Sequence, residues 1–184
     1  MLSTPSRITA DVRRLCRRIG QVSEPVFVEV GHPVDSRLND CFMDVRMQVD
    51  DHGGSIQHGW TIWEWPGVFS EAEFHAVWRT PEGRLLDVTK KKDGEDRILF
   101  APDPYRVFEN KRIDNIRMVI GRDPRIKELL QLHERFQRLI NRKMQGVPFG
   151  SPIVIEGEAY DIRERAAQLE FELMQSRDAR RGKR

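Results

Sequence analysis

Residues 39–89 constrain this chain more than any other stretch. They read NDCFMDVRMQVDDHGGSIQHGWTIWEWPGVFSEAEFHAVWRTPEGRLLDVT and hold all four tryptophans, one of the two cysteines and three of the five histidines. Their order is a Cys opening a helix, a Gly-rich turn, an aromatic strand, a strand carrying a His and a strand carrying an Asp. That order suits a thiol nucleophile, its base and the group that orients the base.

Asn39 or Asp40 can cap the helix, which leaves Cys41 in its first turn. Phe42, Val45 and Val49 lie on one apolar side, and Gly53-Gly54 stops the helix. A Cys there sits at the positive end of the macrodipole, which favours the thiolate. The plainer alternative is a small buried core residue. In the next strand Glu73, His75, Val77 and Arg79 share one face, and Ala76 and Trp78 share the other. Thr80-Pro81-Glu82-Gly83 then turns the chain back into Arg84 to Thr89. With Gly83 left-handed in a three-residue loop, Thr80 lies opposite Arg84 and Val77 opposite Asp87. His75 and Asp87 are then on one face, one diagonal apart and within side-chain reach. Aspartate is a poor strand former. Orienting an imidazole is one reason for Asp87, and capping the strand end is the other.

The run of a Cys-bearing helix, a G-W strand, H-A-V-W, a hairpin and L-D-V-T resembles the core of the transglutaminase-like branch of the papain-like cysteine enzymes. The resemblance covers about residues 25–100. It implies Cys41 as nucleophile, His75 as general base and Asp87 as orienting residue. A papain-like site also needs an oxyanion donor just upstream of the Cys, and His32 and Asn39 are the candidates. Lys90-Lys91-Lys92 stand where that family has turn residues.

Trp60, Trp63, Trp65 and Trp78 are read either as core or as the wall of a substrate channel beside the site. His52 and His58 flank the Gly turn, but their spacing with His75 fits no familiar ligand pattern, so neither a metal site nor a cofactor is expected. A net charge of +2 with 33 % charged residues speaks against general nucleic-acid binding. No apolar run approaches a membrane span and no signal-peptide core follows Met1. Two cysteines in unrelated settings imply a reducing, cytoplasmic setting.

Thr9 can cap a first helix with Val12, Leu15, Cys16 and Ile19 inward and Gly20 at its end; Arg13, Arg14, Arg17 and Arg18 form the other face. Residues 25–34 alternate as a strand. Arg97 to Ala101 and Ile116 to Ile120 are further short strands. Asp123-Pro124 opens a helix, and a second runs from about Glu158 with Ala159, Ile162, Ala166, Leu169, Leu173 and Phe171 inward. The two make a hairpin that packs on the core or against a second copy, as in a homodimer.

The expected fold is α+β: a papain-like, transglutaminase-like core in which a Cys-bearing helix packs on a small antiparallel sheet (1–122), a C-terminal helical hairpin (123–176) and a disordered basic tail (177–184). The expected activity is thiol-dependent hydrolysis or acyl transfer on an amide, isopeptide or ester of a protein, peptide or small molecule. The alternative is a non-catalytic module whose Trp-rich, Arg-flanked pocket sequesters a small anionic or nucleotide-like ligand or an acidic protein partner.

Overall fold

A computed structural model describes residues 2–20, 22–31, 40–91, 94–109, 111–147 and 151–181, with side chains up to residue 177. His32 and Asn39 lie outside the described residues. The chain is α+β. Its order is α1 (Ala10–Ile19), β1 (Val26–Val30), α2 (Cys41–His52), β2 (Ser55–Trp65), β3 (Phe69–Arg79), β4 (Leu85–Asp87), β5 (Arg97–Pro102), β6 (Ile116–Val119), α3 (Pro124–Lys143) and α4 (Glu158–Arg181). None of these helices is long and apolar enough to cross a membrane.

Thr9 caps α1 by accepting from the N–H of Val12, and Gly20 ends it by donating to the carbonyl of Cys16. Val12, Leu15, Cys16 and Ile19 are buried against Trp60, Ile62, Ala72, Phe74, Leu99 and Ala101. Full burial of each large aliphatic side chain stabilises the fold by roughly 1.5–3 kcal/mol. Gly53, at φ 74°, closes α2 with its N–H on the carbonyl of Val49. The apolar side of α2 carries Val45, buried with Ala76 and Val88, while Phe42 and Val49 pack alongside.

The strands run in the order β2-β5-β1-β4-β3-β6, and β2 also pairs with β3. That extra pairing closes five strands into a ring. β5 is antiparallel to both β1 and β2. β4 is antiparallel to β3, whereas β1 and β4 are parallel, with Glu29 opposite Leu86 and Val30 opposite Asp87. The sheet is therefore mixed rather than the small antiparallel sheet expected. The β3–β4 hairpin leaves one edge of β4 open, and β1, which precedes α2, fills it in the same direction.

The pleat of β3 separates two environments. Ala72 and Phe74 belong to the cluster beneath α1 and Ala76 to that beneath α2, while Val77 packs with Val28, Ile98 and Phe100. His75 shares the parity of Val77.

The chain splits into two compact units, Met1–Pro66 with Ser70–Met118, and Gly67–Phe69 with Val119–Arg184. In the second, Asp123 caps α3 by accepting from the N–H of Arg125, and Pro124 stands at its start. Ile126, Leu129, Leu130 and Ile140 of α3 and Ile162, Ala166, Leu169 and Leu173 of α4 are buried. Phe171 is 61 % exposed, contrary to the inward reading. It lies two residues past Leu169, off the 162–166–169–173 stripe. Residues 177–181 of the expected tail are helical, since nothing breaks α4 before Gly182. Residues 182–184 lie outside the described part.

Candidate active site

Two local devices place the histidine and the aspartate. Gly83, at φ 85°, takes the left-handed position of the loop after Thr80, which suits Gly because no Cβ is strained. The N–H of Thr80 donates to the carbonyl of Arg84 at 2.9 Å. Trp78 then faces Leu86, and Arg79 faces Leu85. This register is the one derived from the turn, and it puts His75 and Asp87 diagonally across one face.

Nε2 of His75 lies 3.0 Å from Oδ2 of Asp87. Both side chains are buried, His75 at 9 % exposure and Asp87 at 0 %. Oδ1 of Asp87 accepts from the backbone N–H of Thr89 at 3.0 Å. The bond at Nε2 leaves Nδ1 as the ring nitrogen not held by Asp87. The ring of Phe100 stands edge-on to the imidazole, with centroids 6.5 Å apart. Phe100 occupies that place because Gly59 has no side chain: a Cβ there would meet Cζ of Phe100 at 2.4 Å and the carbonyl oxygen of Ala101 at 2.5 Å.

Cys41 is the first residue of α2 and is 8 % exposed. Asp40 precedes it without a side-chain cap to the helix. The charge of Cys41 is among those that act on the His75 imidazole, after that of Asp87. Phe42, the next residue, stacks on Phe108 at 3.7 Å and holds this first turn down.

The electrostatics of the three groups are coupled. Burial pulls the His75 pKa down, but the charges of Asp87 and Cys41 and the hydrogen bond to Asp87 outweigh it, and the pKa is raised to about 10. Burial pushes Asp87 up, yet His75 and Lys91 hold it well below the usual carboxylate range. Cys16, by contrast, lies in the core beneath α1. Burial and then the charge of Glu24 push its thiol up to about 11.

A fourth residue belongs to the cluster. Nζ of Lys91 lies 2.5 Å from Oδ2 of Asp87, with 10 % of the Lys91 side chain exposed. Sequence reasoning met this residue only as part of a Lys run. Its one signal was its place four residues after Asp87, beyond the end of β4.

The four tryptophans do not line a common wall. Trp60 is fully buried in the cluster beneath α1, and its Nε1 donates to Oδ2 of Asp103 at 3.2 Å. Nε1 of Trp63 donates to Glu73 at 2.9 Å, and Nε1 of Trp78 to the carbonyl of Gly53 at 2.9 Å. Trp65 is buried at the end of β2. Trp60 and Trp65 are therefore core residues. A substrate-facing role has room only at half-buried Trp63 and Trp78, whose indole N–H groups are already engaged. His58 stacks on Phe74 at 5.9 Å, and His52 lies against Trp78. Among the described residues no three His, Cys, Asp or Glu side chains converge as a metal site.

A separate concavity of about 530 Å³ lies along residues 103–113, lined by Asp103, Tyr105, Arg106, Glu109, Lys111 and others. It includes none of Cys41, His75 and Asp87. The guanidinium of Arg106 lies 5.1 Å over the Trp60 ring.

No protein-family model matches this chain, and no curated protein or solved structure matches it significantly. Any functional reading therefore rests on the site itself.

Proposed function

We propose that this protein is a thiol-dependent hydrolase or acyltransferase, of the transglutaminase-like, papain-like kind, acting on an amide or ester carbonyl. The observation that carries the reading is the buried His75–Asp87 pair, Nε2 to Oδ2 at 3.0 Å, with Cys41 at the start of α2 within range of its charge. Asp87 fixes the imidazole by its Nε2 side. Nδ1 then faces the chemistry, taking the proton of Cys41 and later delivering it.

The thiolate adds to the carbonyl carbon, and the bond to the leaving amine or alcohol breaks as His75 protonates it. An acyl thioester remains on Cys41. Water or an amine then adds to the thioester, its proton passes to His75, and the C–S bond breaks to restore the thiolate. Preorganised N–H donors at the start of α2 suit the oxyanion of each tetrahedral intermediate. The acceptor is set by access to the site rather than by the three side chains.

The test is brief iodoacetamide labelling near pH 7, followed by acylation with p-nitrophenyl acetate. Cys41 should be alkylated at least tenfold faster than Cys16, whose thiol is held protonated to about pH 11. Intact-mass analysis should then find acetate on Cys41, absent from Cys41→Ala. Equal labelling of the two cysteines, or acetylation that survives Cys41→Ala unchanged, would sink the reading.

The mixed-charge concavity at 103–113, with Arg106 and Lys111 on its wall, favours a second reading as a ligand-binding module. A binder of that kind keeps its ligand affinity in Cys41→Ala, measured by calorimetry with a nucleotide or small dianion.

A further inference from the structure

Lys91 follows β4 with its ammonium turned inward, while its neighbour Lys90 is exposed. A buried ammonium is costly unless a partner compensates it. The partner here is Oδ2 of Asp87, at 2.5 Å, the same atom that Nε2 of His75 approaches at 3.0 Å. One carboxylate oxygen is thus shared between two cations, and the other is held by the N–H of Thr89.

We propose that Lys91 is a positioning residue of the thiol site, where its ammonium counters the Asp87 carboxylate and leaves His75 free to release a proton as well as to hold one. The inference rests on the thiol reading above. Its basis is the charge count in a buried cluster. With Lys91 and Asp87 opposed, the site is neutral when the shared proton is on Cys41 and equally neutral when it is on His75. It is also neutral when Cys41 is acylated and His75 is uncharged. Without Lys91, Asp87 has only the imidazolium to balance it, and His75 holds its proton more tightly still. An imidazolium so held protonates a leaving group poorly and cannot accept a proton from water.

The charged or titratable groups acting on His75 are Asp87 from β4, Cys41 from α2 and Lys91 from the segment after β4. From β5 the imidazole meets the edge of Phe100, which carries no charge. Lys91 is the one of the three that draws the His75 pKa down. Its removal raises the affinity of the imidazole for its proton, and acylation of Cys41 removes the thiolate that also raised it. The step most dependent on Lys91 is therefore deacylation, which needs a neutral His75.

The experiment compares the full chain with Lys91→Met, Lys91→Gln and Lys91→Arg, each first checked for a cooperative thermal transition. NMR titration follows the His75 ring, and stopped-flow p-nitrophenyl acetate kinetics separates burst from steady state. In Lys91→Met and Lys91→Gln the His75 midpoint should rise by roughly one to three pH units. The acetylation burst should persist while deacetylation slows about tenfold for each unit of that rise. Lys91→Arg should restore both. An unchanged His75 midpoint, or equal slowing of burst and steady state in Met and Gln with no rescue by Arg, overturns the role of Lys91. If wild type shows no acetylation of Cys41, the thiol reading fails instead. The His75 midpoint then decides alone whether Lys91 sets the imidazole.

Discussion

Asp87 is where the chemistry of single residues is most concentrated. Its two oxygens serve His75, Lys91 and the N–H of Thr89, and none of its side chain is exposed. The sequence left open whether this Asp orients an imidazole or caps a strand end, and the carboxylate does both: Oδ2 holds the ring and Oδ1 holds the turn after β4. The two roles predict a compound phenotype for Asp87→Asn. Losing the carboxylate lowers the His75 pKa, so alkylation of Cys41 near neutral pH should slow several-fold. The same change leaves the buried Lys91 without its counter-charge, a loss that costs on the order of 3 kcal/mol. The checks are the pH profile of Cys41 alkylation and chemical denaturation. An unchanged denaturation midpoint would mean that Lys91 escapes to solvent in the variant.

At the scale of elements, the β3–β4 hairpin and the β2–β5 pairing together set the orientation of His75. The hairpin fixes its diagonal with Asp87, and β5 supplies Phe100 as the wall behind it. Thr61 faces Phe100 across β2 and β5, and Gly59 faces Pro102, so the Phe100 ring leans into the space that Gly59 leaves. Gly59→Ala should destabilise the protein by about 1–3 kcal/mol, because the new methyl overlaps both a ring and a backbone carbonyl. It should also change the rate of Cys41 alkylation, since the Phe100 ring that must shift stands against the His75 imidazole. Thermal unfolding and alkylation rates measured on one sample check both effects. Helix α2 depends in the same way on Phe42, whose stack on Phe108 and contacts with Phe74 anchor the turn that presents Cys41. Phe42→Ala should loosen that turn and narrow the difference in alkylation rate between Cys41 and Cys16.

At the scale of the whole molecule the buried pair becomes a pH dependence of stability. His75 has a folded pKa raised to about 10 against an ordinary value of 6.5. Its stabilising contribution is fully present below pH 6.5 and is lost as pH rises through about 10. Asp87 is displaced the opposite way. Its contribution is present above about pH 4, the ordinary carboxylate value, and is lost as pH falls through its depressed folded value. The thermal midpoint should therefore decline from near-neutral pH towards pH 10, and His75→Gln should flatten that alkaline slope. A wild-type slope that survives in His75→Gln would assign the alkaline loss to other groups.

What the amino-acid sequence determined by itself was local. The stripe of α1 and its Thr9 cap, the Gly53 stop of α2, the Pro124 start of α3 and the Thr80–Arg84 register follow from helical spacing, caps and turn geometry within a few residues. The register alone carried His75 to Asp87, because a hairpin converts sequence separation into distance. What only the tertiary structure decided was long-range. The parallel pairing of β1 with β4 and the closure of the ring by β2 and β3 join strands whose patterns name no partner. The tryptophans divide between buried Trp60 and Trp65 and half-buried Trp63 and Trp78, and since Trp63 and Trp65 share one parity of β2, alternation alone does not make that choice. Lys91 is the sharpest case. Nothing in a run of three lysines marks the middle one as turned inward, and it does so because the fold sets the fully buried Asp87 carboxylate within its reach.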